Sequence, residues 1–230
     1  MSVHEISVIL PVKNGERFLG EAIESILEQS LPPAELIVVD GNSTDRSPEI
    51  AGSYDGVTLI AQEGDGLSQA WNQGVRASSG ELIGFLDGDD YWLPGNLEAQ
   101  ARLLEEKPEL AGSLGRAKFV LVPGEPPPPG FRMNLLEGDH IGPMPGNALV
   151  RRDVFESIGY FDEDYRLAAD VDWFARIKDA GLELGAIPDV VLIKRFHASN
   201  LSHSVPDTYH RELVRALRES AARQRSAEES

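Results

Sequence analysis

The sequence predicts an α/β fold in which helices cover both faces of a mostly parallel central sheet. The first half alternates short apolar runs with segments whose apolar residues recur every three or four positions, the spacing of an amphipathic helix. The short runs are apolar throughout, which is typical of parallel strands buried on both faces. With 41% hydrophobic residues among 230, the chain can also bury a large core.

Four strands are predicted in the first half, and they are residues 6–12, 35–40, 57–61 and 81–86. Helical spacing predicts one helix that starts near Phe18 and another that starts near Leu67. A further helix is predicted over 94–106, with Pro94 in its first turn. The polar segment 41–47, which reads GNSTDRS, is interpreted as a turn.

The second half has a less regular pattern. A strand is predicted to begin at Lys118 and to lead into a proline-rich loop over 123–131. Residues 142–167 read as a turn, a strand, a short helix and an aromatic loop. A helix over 168–180, a strand over 189–196 and a C-terminal amphipathic helix follow. No repeat or domain linker interrupts the chain, so one domain is predicted for 1–225, followed by a tail at 226–230.

Composition excludes several functions. Lys and Arg number 21 against 38 for Asp and Glu, a net charge of −17, which argues against nucleic-acid binding. Without cysteine there is no disulfide or thiol chemistry. The first apolar run lacks the preceding basic region of a signal peptide, and no run reaches the roughly 20 residues of a membrane span. We therefore predict a soluble, cytoplasmic protein.

Three carboxylates follow the fourth predicted strand in the stretch FLDGDDYW. Asp87 and Asp89, two apart on an extended chain, are expected to face the same way, and Gly88 between them would let a ligand approach. Carboxylate oxygens are the ligands that Mg²⁺ and Mn²⁺ prefer. The simpler alternative is a solvated acidic turn. The position at a strand end favours the metal interpretation, because ligands of parallel sheets bind beyond the carboxyl ends of the strands.

Two further polar residues lie at the ends of predicted strands. Asn14 follows the first strand and Asp40 ends the second. Because the carboxyl ends of parallel strands meet at one edge of the sheet, we expect Asn14, Asp40 and Asp87 to converge on the same rim.

The order of these motifs resembles the family 2 glycosyltransferases of GT-A fold. The resemblance covers residues 5–205 and rests on ISVILPVKN, ELIVVDGNSTDRS, GLSQAWNQGVRASSGELIGFLDGDDYWLPGNL, PGNALVRRDVFESIGYFDEDYRLAADVDWFARIKDAG and KRFHASNLSHS. It implies inverting transfer of a sugar from a nucleotide diphosphate sugar donor to an acceptor hydroxyl, aided by Mn²⁺ or Mg²⁺. It also divides the domain into a nucleotide-sugar-binding half (1–110), an acceptor and catalytic half (111–205) and a C-terminal helix (206–225).

The resemblance also assigns roles on the donor side. Asp89 matches the direct metal ligand of the family's Asp-x-Asp motif, and Asp87 matches its ribose or metal-shell partner. His197 matches a histidine that approaches the metal or the diphosphate. The remaining donor-binding positions implied are Pro11, Asn14, Asp40 and Asn72.

Asp170 matches the family's catalytic base. A carboxylate there would take the proton of the attacking hydroxyl, although a purely structural cap at the start of a helix is the alternative. The chain departs from the family pattern at three positions, where Gly41 replaces a second acid, Ala169 replaces a Glu and Trp71 replaces an Arg. The Gly41 departure leaves the nucleotide base unassigned.

Two other functions stay open at this point. A nucleotidyltransferase also combines a parallel sheet with acidic metal sites, but the loop after the first strand has one glycine rather than a glycine-rich phosphate loop. A catalytically degenerate paralogue would bind the sugar nucleotide without releasing nucleoside diphosphate. The acceptor could be a polysaccharide, a lipid-linked sugar or a peptide. Arginines in the C-terminal helix leave peripheral contact with the inner membrane face as an option, although packing on the domain is favoured.

Overall fold

An eight-stranded sheet organises the described part of the chain. The computed structural model describes residues 5–128, 131–197 and 206–228, so the motif at 194–204 is described only as far as residue 197. The strands are β1 (Ile6–Val12), β2 (Glu35–Asp40), β3 (Val57–Ala61), β4 (Leu82–Phe85), β5 (Tyr91–Trp92), β6 (Gly112–Leu121), β7 (Ala148–Arg151) and β8 (Leu184–Phe196). The helices are α1 (Leu19–Leu27), α2 (Ser47–Gly52), α3 (Leu67–Ala77), α4 (Asn96–Glu106), α5 (Asp153–Ile158), α6 (Ala169–Asp179) and α7 (Pro206–Glu228), with 3₁₀ helices at Met133–Leu136 and Pro145–Asn147.

The strand order is β3-β2-β1-β4-β7-β6-β8-β5. The first four strands of that order run parallel, as do β6 and β8, whereas β7 and β5 are antiparallel to their neighbours. Four of the seven neighbouring pairs are therefore parallel, which confirms the mostly parallel sheet. The antiparallel β7 between β4 and β6 was not predicted, because a short apolar strand carries no signal of its direction.

Helices cover both faces of the sheet, as predicted. Val8 and Leu10 of β1 pack in a cluster with α1, α2 and α4, whereas Ile9 packs in the opposite cluster with α3, α5, α6 and α7. This alternation follows from the two-residue period of a strand. Because both sets are apolar, the strand is buried on each side and its carboxyl end is left as the place for polar groups.

Several boundaries differ from the prediction. Strand β6 begins at Gly112, six residues before the predicted start, and its glycines allow close packing: a Cβ on Gly115 would clash with the side chain of Val191. Helix α2 lies where the polar turn ends, and α7 runs to Glu228, three residues into the predicted tail. Glycine-rich or polar segments lack the apolar periodicity on which sequence prediction depends.

The C-terminal helix α7 packs against α6. Arg215 pairs with Asp162 at 3.1 Å, and Arg223 pairs with Asp179 at 2.8 Å. Two arginines of the basic helix are thus neutralised by the domain, which confirms packing as a role of this helix. Within the described ranges, no helix combines the length and the apolar character needed to cross a membrane.

Candidate active site

The acidic stretch carries the chain from the middle of the sheet to its edge. It leaves β4, which pairs with β1 and β7, and enters β5, which pairs with β8 at the end of the strand order. Asp90 closes the turn through its N–H, which donates to the carbonyl of Asp87 at 3.0 Å. This crossing brings the three carboxylates against β8, and their oxygens lie within 4.8 Å of one another.

Gly88 has a different role from the one predicted. A Cβ at this position would lie 3.3 Å from the carbonyl oxygen of Pro11 and 3.2 Å from the side chain of Val12. The glycine therefore lets the acidic stretch pack closely on the end of β1, rather than opening space for a ligand.

Lys194 of β8 lies among the carboxylates. Its Nζ is 3.2 Å from Asp87 Oδ2 and 2.9 Å from Asp90 Oδ2. Although burial opposes its charge, the three aspartates together keep the pKa of Lys194 above its usual value. Burial raises the pKa of Asp90 to about 7, against the influence of Lys194, and the charges of Asp89 and Asp87 add to the rise. Asp90, the last acid of the stretch, is the buried member of the cluster.

Asp89 and His197 lie together. Nε2 of His197 is 3.1 Å from Asp89 Oδ2, and the imidazole stacks on Phe18 with ring centroids 5.3 Å apart. Burial would raise the pKa of Asp89, but the hydrogen bond with His197 and the charge of Lys194 outweigh it, so the pKa lies below its usual value. Asp89 is therefore more readily ionised than Asp90.

The donor set fits a hard divalent cation. Three carboxylates converge, and carboxylate oxygens are the ligands that Mg²⁺ and Mn²⁺ prefer. The cluster therefore divides into Asp87 and Asp90, which contact Lys194, and Asp89, which contacts His197.

Asp40 and Asn14 meet on the adjacent part of the rim. Asp40 Oδ2 accepts the N–H of Ser43 at 3.1 Å, and the hydroxyl of Ser43 accepts the N–H of Asn14 at 2.8 Å. The carboxamide oxygen of Asn14 accepts the N–H of Thr44, so Asn14 ties the two strand-end loops together. Asp40 Oδ1 is buried without a hydrogen-bond partner in the described chain, which leaves one acceptor available to a ligand.

The Gly41 departure has a steric explanation. A Cβ at this position would lie 3.0 Å from Gln62 Oε1 and 3.2 Å from the Cβ of Lys13. A second acid next to Asp40 would therefore need its neighbours to move. Pro11, another predicted donor-binding residue, is buried inside β1 opposite Val39.

Asn72 is not brought to the acidic cluster. Its Nδ2 donates to the carbonyl of Phe161 and to Glu163, each at 2.9 Å, and its Oδ1 accepts the N–H of Phe161 at 3.0 Å. Trp71 beside it is 4% exposed and packs on Phe85 and Phe161. Both residues therefore join α3 to the loop before α6, and the Trp71 departure places an apolar ring in the core.

Asp170 lies in the first turn of α6 and keeps part of its surface exposed. Burial raises the pKa of Asp170 to about 6, and the negative charge of Asp87 adds to this rise while Lys194 opposes it. These influences link Asp170 electrostatically to the acidic cluster. Its Oδ1 accepts the N–H of Val171 at 2.9 Å, and no ion pair to Asp170 occurs in residues 5–128, 131–197 and 206–228.

The start of α6 is held by the C-terminal helix. Glu212 accepts the N–H groups of Arg166, Leu167 and Ala168 at 3.0, 2.8 and 3.0 Å. Burial raises the pKa of Tyr209, and the charge of Asp170 adds to this rise, so Tyr209 of α7 lies near the same carboxylate. The loop that leads to Asp170 thus depends on a helix some forty residues further along the chain.

Sequence reasoning missed two residues that shape this site. Lys194 precedes the predicted His197 by three positions on a strongly apolar strand, and a lysine there is a signal that a buried acid lies opposite. Glu212 carries no comparable signal, because charged residues are ordinary on an amphipathic helix.

Residues 7–159 match the family model described as Glycosyl transferase family 2. The protein named uncharacterized glycosyltransferase RP339, from Rickettsia prowazekii (strain Madrid E), is 26% identical over 226 positions, which cover 86% of this chain and 66% of the relative. The protein named uncharacterized glycosyltransferase EpsJ, from Bacillus subtilis (strain 168), is 44% identical over 90 residues, which are 37% of this chain and 26% of the relative.

Solved structures are similar over nearly the whole chain. S. aureus TarS, residues 1–349 in complex with UDP-GlcNAc, has a TM-score of 0.75 at 20% identity, covering 95% of this chain and 66% of that one. The mannosyltransferase PcManGT from Pyrobaculum calidifontis, in complex with GDP-Man and Mn²⁺, has a TM-score of 0.71 at 23% identity, covering 95% and 64%. These similarities confirm the GT-A fold. The chain spans between 26% and 66% of the length of the four proteins.

Proposed function

The chain belongs to glycosyl transferase family 2, and on that premise we propose that it is an inverting glycosyltransferase. It transfers a sugar from a nucleoside diphosphate sugar to an acceptor hydroxyl. The observation that carries the proposal is the electrostatic link between Asp170 and a cluster of three carboxylates that could hold a metal ion. The pKa of Asp170 is raised to about 6.

The donor side uses residues 1–110 and the acceptor side residues 111–205 in this proposal. Asp40 offers its buried free oxygen to the nucleoside, beside the loops that Asn14 joins. The related structures contain UDP-GlcNAc in one case and GDP-Man with Mn²⁺ in the other, so both donors are the ones to test.

Asp89 and His197 would hold a divalent cation, with Asp87 beside them. When bound, that cation would stabilise the negative charge that develops on the departing diphosphate. Asp89 suits this role because its pKa lies below the usual range, so it carries a full negative charge at neutral pH.

Asp170 acts as the general base. It accepts the proton of the acceptor hydroxyl while the hydroxyl oxygen bonds to the anomeric carbon and the carbon–phosphate oxygen bond breaks, its electrons leaving with the diphosphate. A pKa of about 6 leaves Asp170 ionised at neutral pH yet more basic than an ordinary aspartate. Attack from the face opposite to the leaving group inverts the configuration, as in inverting hydrolysis.

The proposal is tested by release of UDP or GDP from UDP-GlcNAc and GDP-mannose in the presence of Mn²⁺, with polysaccharide, lipid-linked and peptide acceptors. Asp89→Asn should lower release at least 100-fold, since one electrostatic stabiliser typically contributes about 10²–10³ to the rate. The control is Asp55→Asn, an exposed aspartate in the turn before β3, at the opposite end of that strand from the rim.

Other outcomes assign other functions. Release of pyrophosphate from a nucleoside triphosphate and a sugar phosphate would indicate a nucleotidyltransferase. Binding of the sugar nucleotides without any release of nucleoside diphosphate would indicate a degenerate paralogue. Full activity of folded Asp89→Asn would remove the proposed role of Asp89.

A further inference from the structure

The acidic cluster already contains a cation that belongs to the protein. The ammonium group of Lys194 lies 3.2 Å from Asp87 Oδ2 and 2.9 Å from Asp90 Oδ2, and its side chain is 27% exposed. Asp90 is held in place by a second contact, because its Oδ1 accepts the backbone N–H of Arg195 at 2.8 Å. The lysine is therefore fixed between two of the three carboxylates by the strand that carries it.

This position conflicts with tight metal binding to the protein alone. Two of the three carboxylates that converge as possible cation ligands, Asp87 and Asp90, are the ones that Lys194 contacts. A positive charge roughly 5 Å from a divalent ion repels it enough to weaken binding by about tenfold even at the dielectric constant of water. Lys194 thus lowers both the number of free ligand atoms and the net negative charge of the cluster.

We propose that Lys194 is a positioning residue that keeps the affinity of the donor-free protein for divalent cations low and so makes cation binding depend on the nucleoside diphosphate. This inference rests on the proposed function, since the donor supplies the diphosphate. The negative charges of the diphosphate offset the repulsion from Lys194 and offer the ammonium group a new partner. By linkage, the cation must then strengthen nucleoside diphosphate binding by the same factor.

The test is a titration of the whole chain with Mn²⁺. Binding is measured by calorimetry and by the electron paramagnetic resonance signal of free Mn²⁺. It is done without nucleotide, with UDP and with GDP. For the wild type, we expect weak binding of Mn²⁺ alone and an affinity at least about tenfold higher with the preferred nucleotide. For Lys194→Met, we expect Mn²⁺ alone to bind about tenfold or more tightly than to the wild type, with a smaller further gain from the nucleotide.

Two variants separate a local effect from a general change of charge. Lys178→Met removes an exposed lysine near the end of α6 and alters the net charge equally, so it should leave Mn²⁺ affinity unchanged. Lys194→Arg keeps the charge and should bind Mn²⁺ alone as weakly as the wild type does.

Several results would overturn the inference. One is equal Mn²⁺ affinity of wild type and folded Lys194→Met without nucleotide. Another is tight binding of Mn²⁺ to the wild type with an affinity that UDP and GDP leave unchanged. This result needs no variant, so it applies even if Lys194→Met does not fold. If neither nucleotide binds at all, the proposed function fails instead, so the two failures are distinguishable.

Discussion

The two acidic parts of the rim differ in how their charge is compensated. In the cluster of Asp87, Asp89 and Asp90, each carboxylate has a basic partner nearby, either Lys194 or His197. Asp170 forms no ion pair with the described residues, and burial raises its pKa to about 6. A compensated cluster suits the binding of a charged ligand, whereas an isolated carboxylate with a raised pKa suits the acceptance of a proton.

The two parts also differ in what positions them. The cluster is fixed by the sheet, because β4 delivers its carboxylates and β8 delivers its cation. Asp170 stands at the start of a helix whose approach loop is hydrogen-bonded to Glu212 of α7. Changes in the C-terminal helix should therefore alter the proton transfer and leave the donor side intact.

The largest effect expected is from Asp170→Asn. The amide cannot accept the proton. Release of nucleoside diphosphate in the presence of an acceptor should therefore fall about 10²–10⁴-fold, the usual contribution of a general base. Its melting temperature at pH 7.5 should equal or exceed that of the wild type, because burial disfavours the ionised carboxylate. Initial rates and thermal unfolding measure the two effects.

Asp172 provides the matched control two positions along the same helix. It is 2% exposed and pairs with Arg176 at 2.8 Å. Asp172→Asn should destabilise the fold by about 1.5–3 kcal/mol, the usual range for a hydrogen bond to a charged group, and keep most of the rate. The opposite result, in which Asp172→Asn is inactive and Asp170→Asn is active, would contradict the comparison.

The second effect in size concerns Glu212. Glu212→Ala leaves the N–H groups of Arg166, Leu167 and Ala168 without their acceptor, so the start of α6 should shift. Because a displacement of about 1 Å at a catalytic group can cost 10²-fold, we expect kcat to fall about 10–100-fold. The KM for the donor should change little, since the proposed donor site lies at the cluster.

Glu219 separates positioning from general stability. It lies on the same helix and accepts the hydroxyl of Tyr165 at 3.0 Å, away from the backbone before α6. Glu219→Ala should lower the melting temperature with kcat retained, and Glu212→Gln should recover part of the rate lost by Glu212→Ala. An equal loss of kcat in both alanine variants would show that α7 only stabilises the domain.

The parts of the site that follow from local sequence patterns were predictable, and the parts that depend on distant contacts were not. The cluster follows a buried strand, and the position of strand ends is predictable from apolar runs, so Asp87, Asp89 and the meeting of Asn14 with Asp40 were predictable. The burial of Asp90 was not predictable, because burial by a distant strand has no local signal. Lys194 on its apolar strand does signal a buried acid, but its partners lie 104 and 107 residues away, so the sequence does not identify them.

The fold was predictable to the same degree. Strands β1, β2 and β3 have the predicted bounds because their apolar runs end abruptly at polar turns. The direction of β7 and the early start of β6 depend on packing between distant glycines and side chains, such as Gly112 against Val150. Such contacts are made only in the folded chain, so no local pattern reveals them.

The smallest effect expected is that of pH on the wild type. Asp170 must be ionised to accept a proton, and its pKa is raised from 3.8 to about 6. The rate should therefore be constant above about pH 7 and fall about tenfold per unit below pH 6. Three groups interact electrostatically with Asp170. The charge of Asp87 raises the pKa of Asp170 and that of Lys194 lowers it, whereas Asp170 itself raises the pKa of Tyr209.

The measurement is kcat/KM for the donor from about pH 4 to about pH 8, which is about two units on either side of the expected midpoint. The buffers are chosen so that the protein stays folded. Asp90, with a pKa raised to about 7, titrates in the same interval, so the residual activity of Asp170→Asn is the control. If the fall in rate at acidic pH, the acidic limb of the profile, disappears in Asp170→Asn, this limb belongs to the base. If the same limb persists there, it belongs to the cluster, and the division between a charge-binding region and a proton-accepting region would no longer hold.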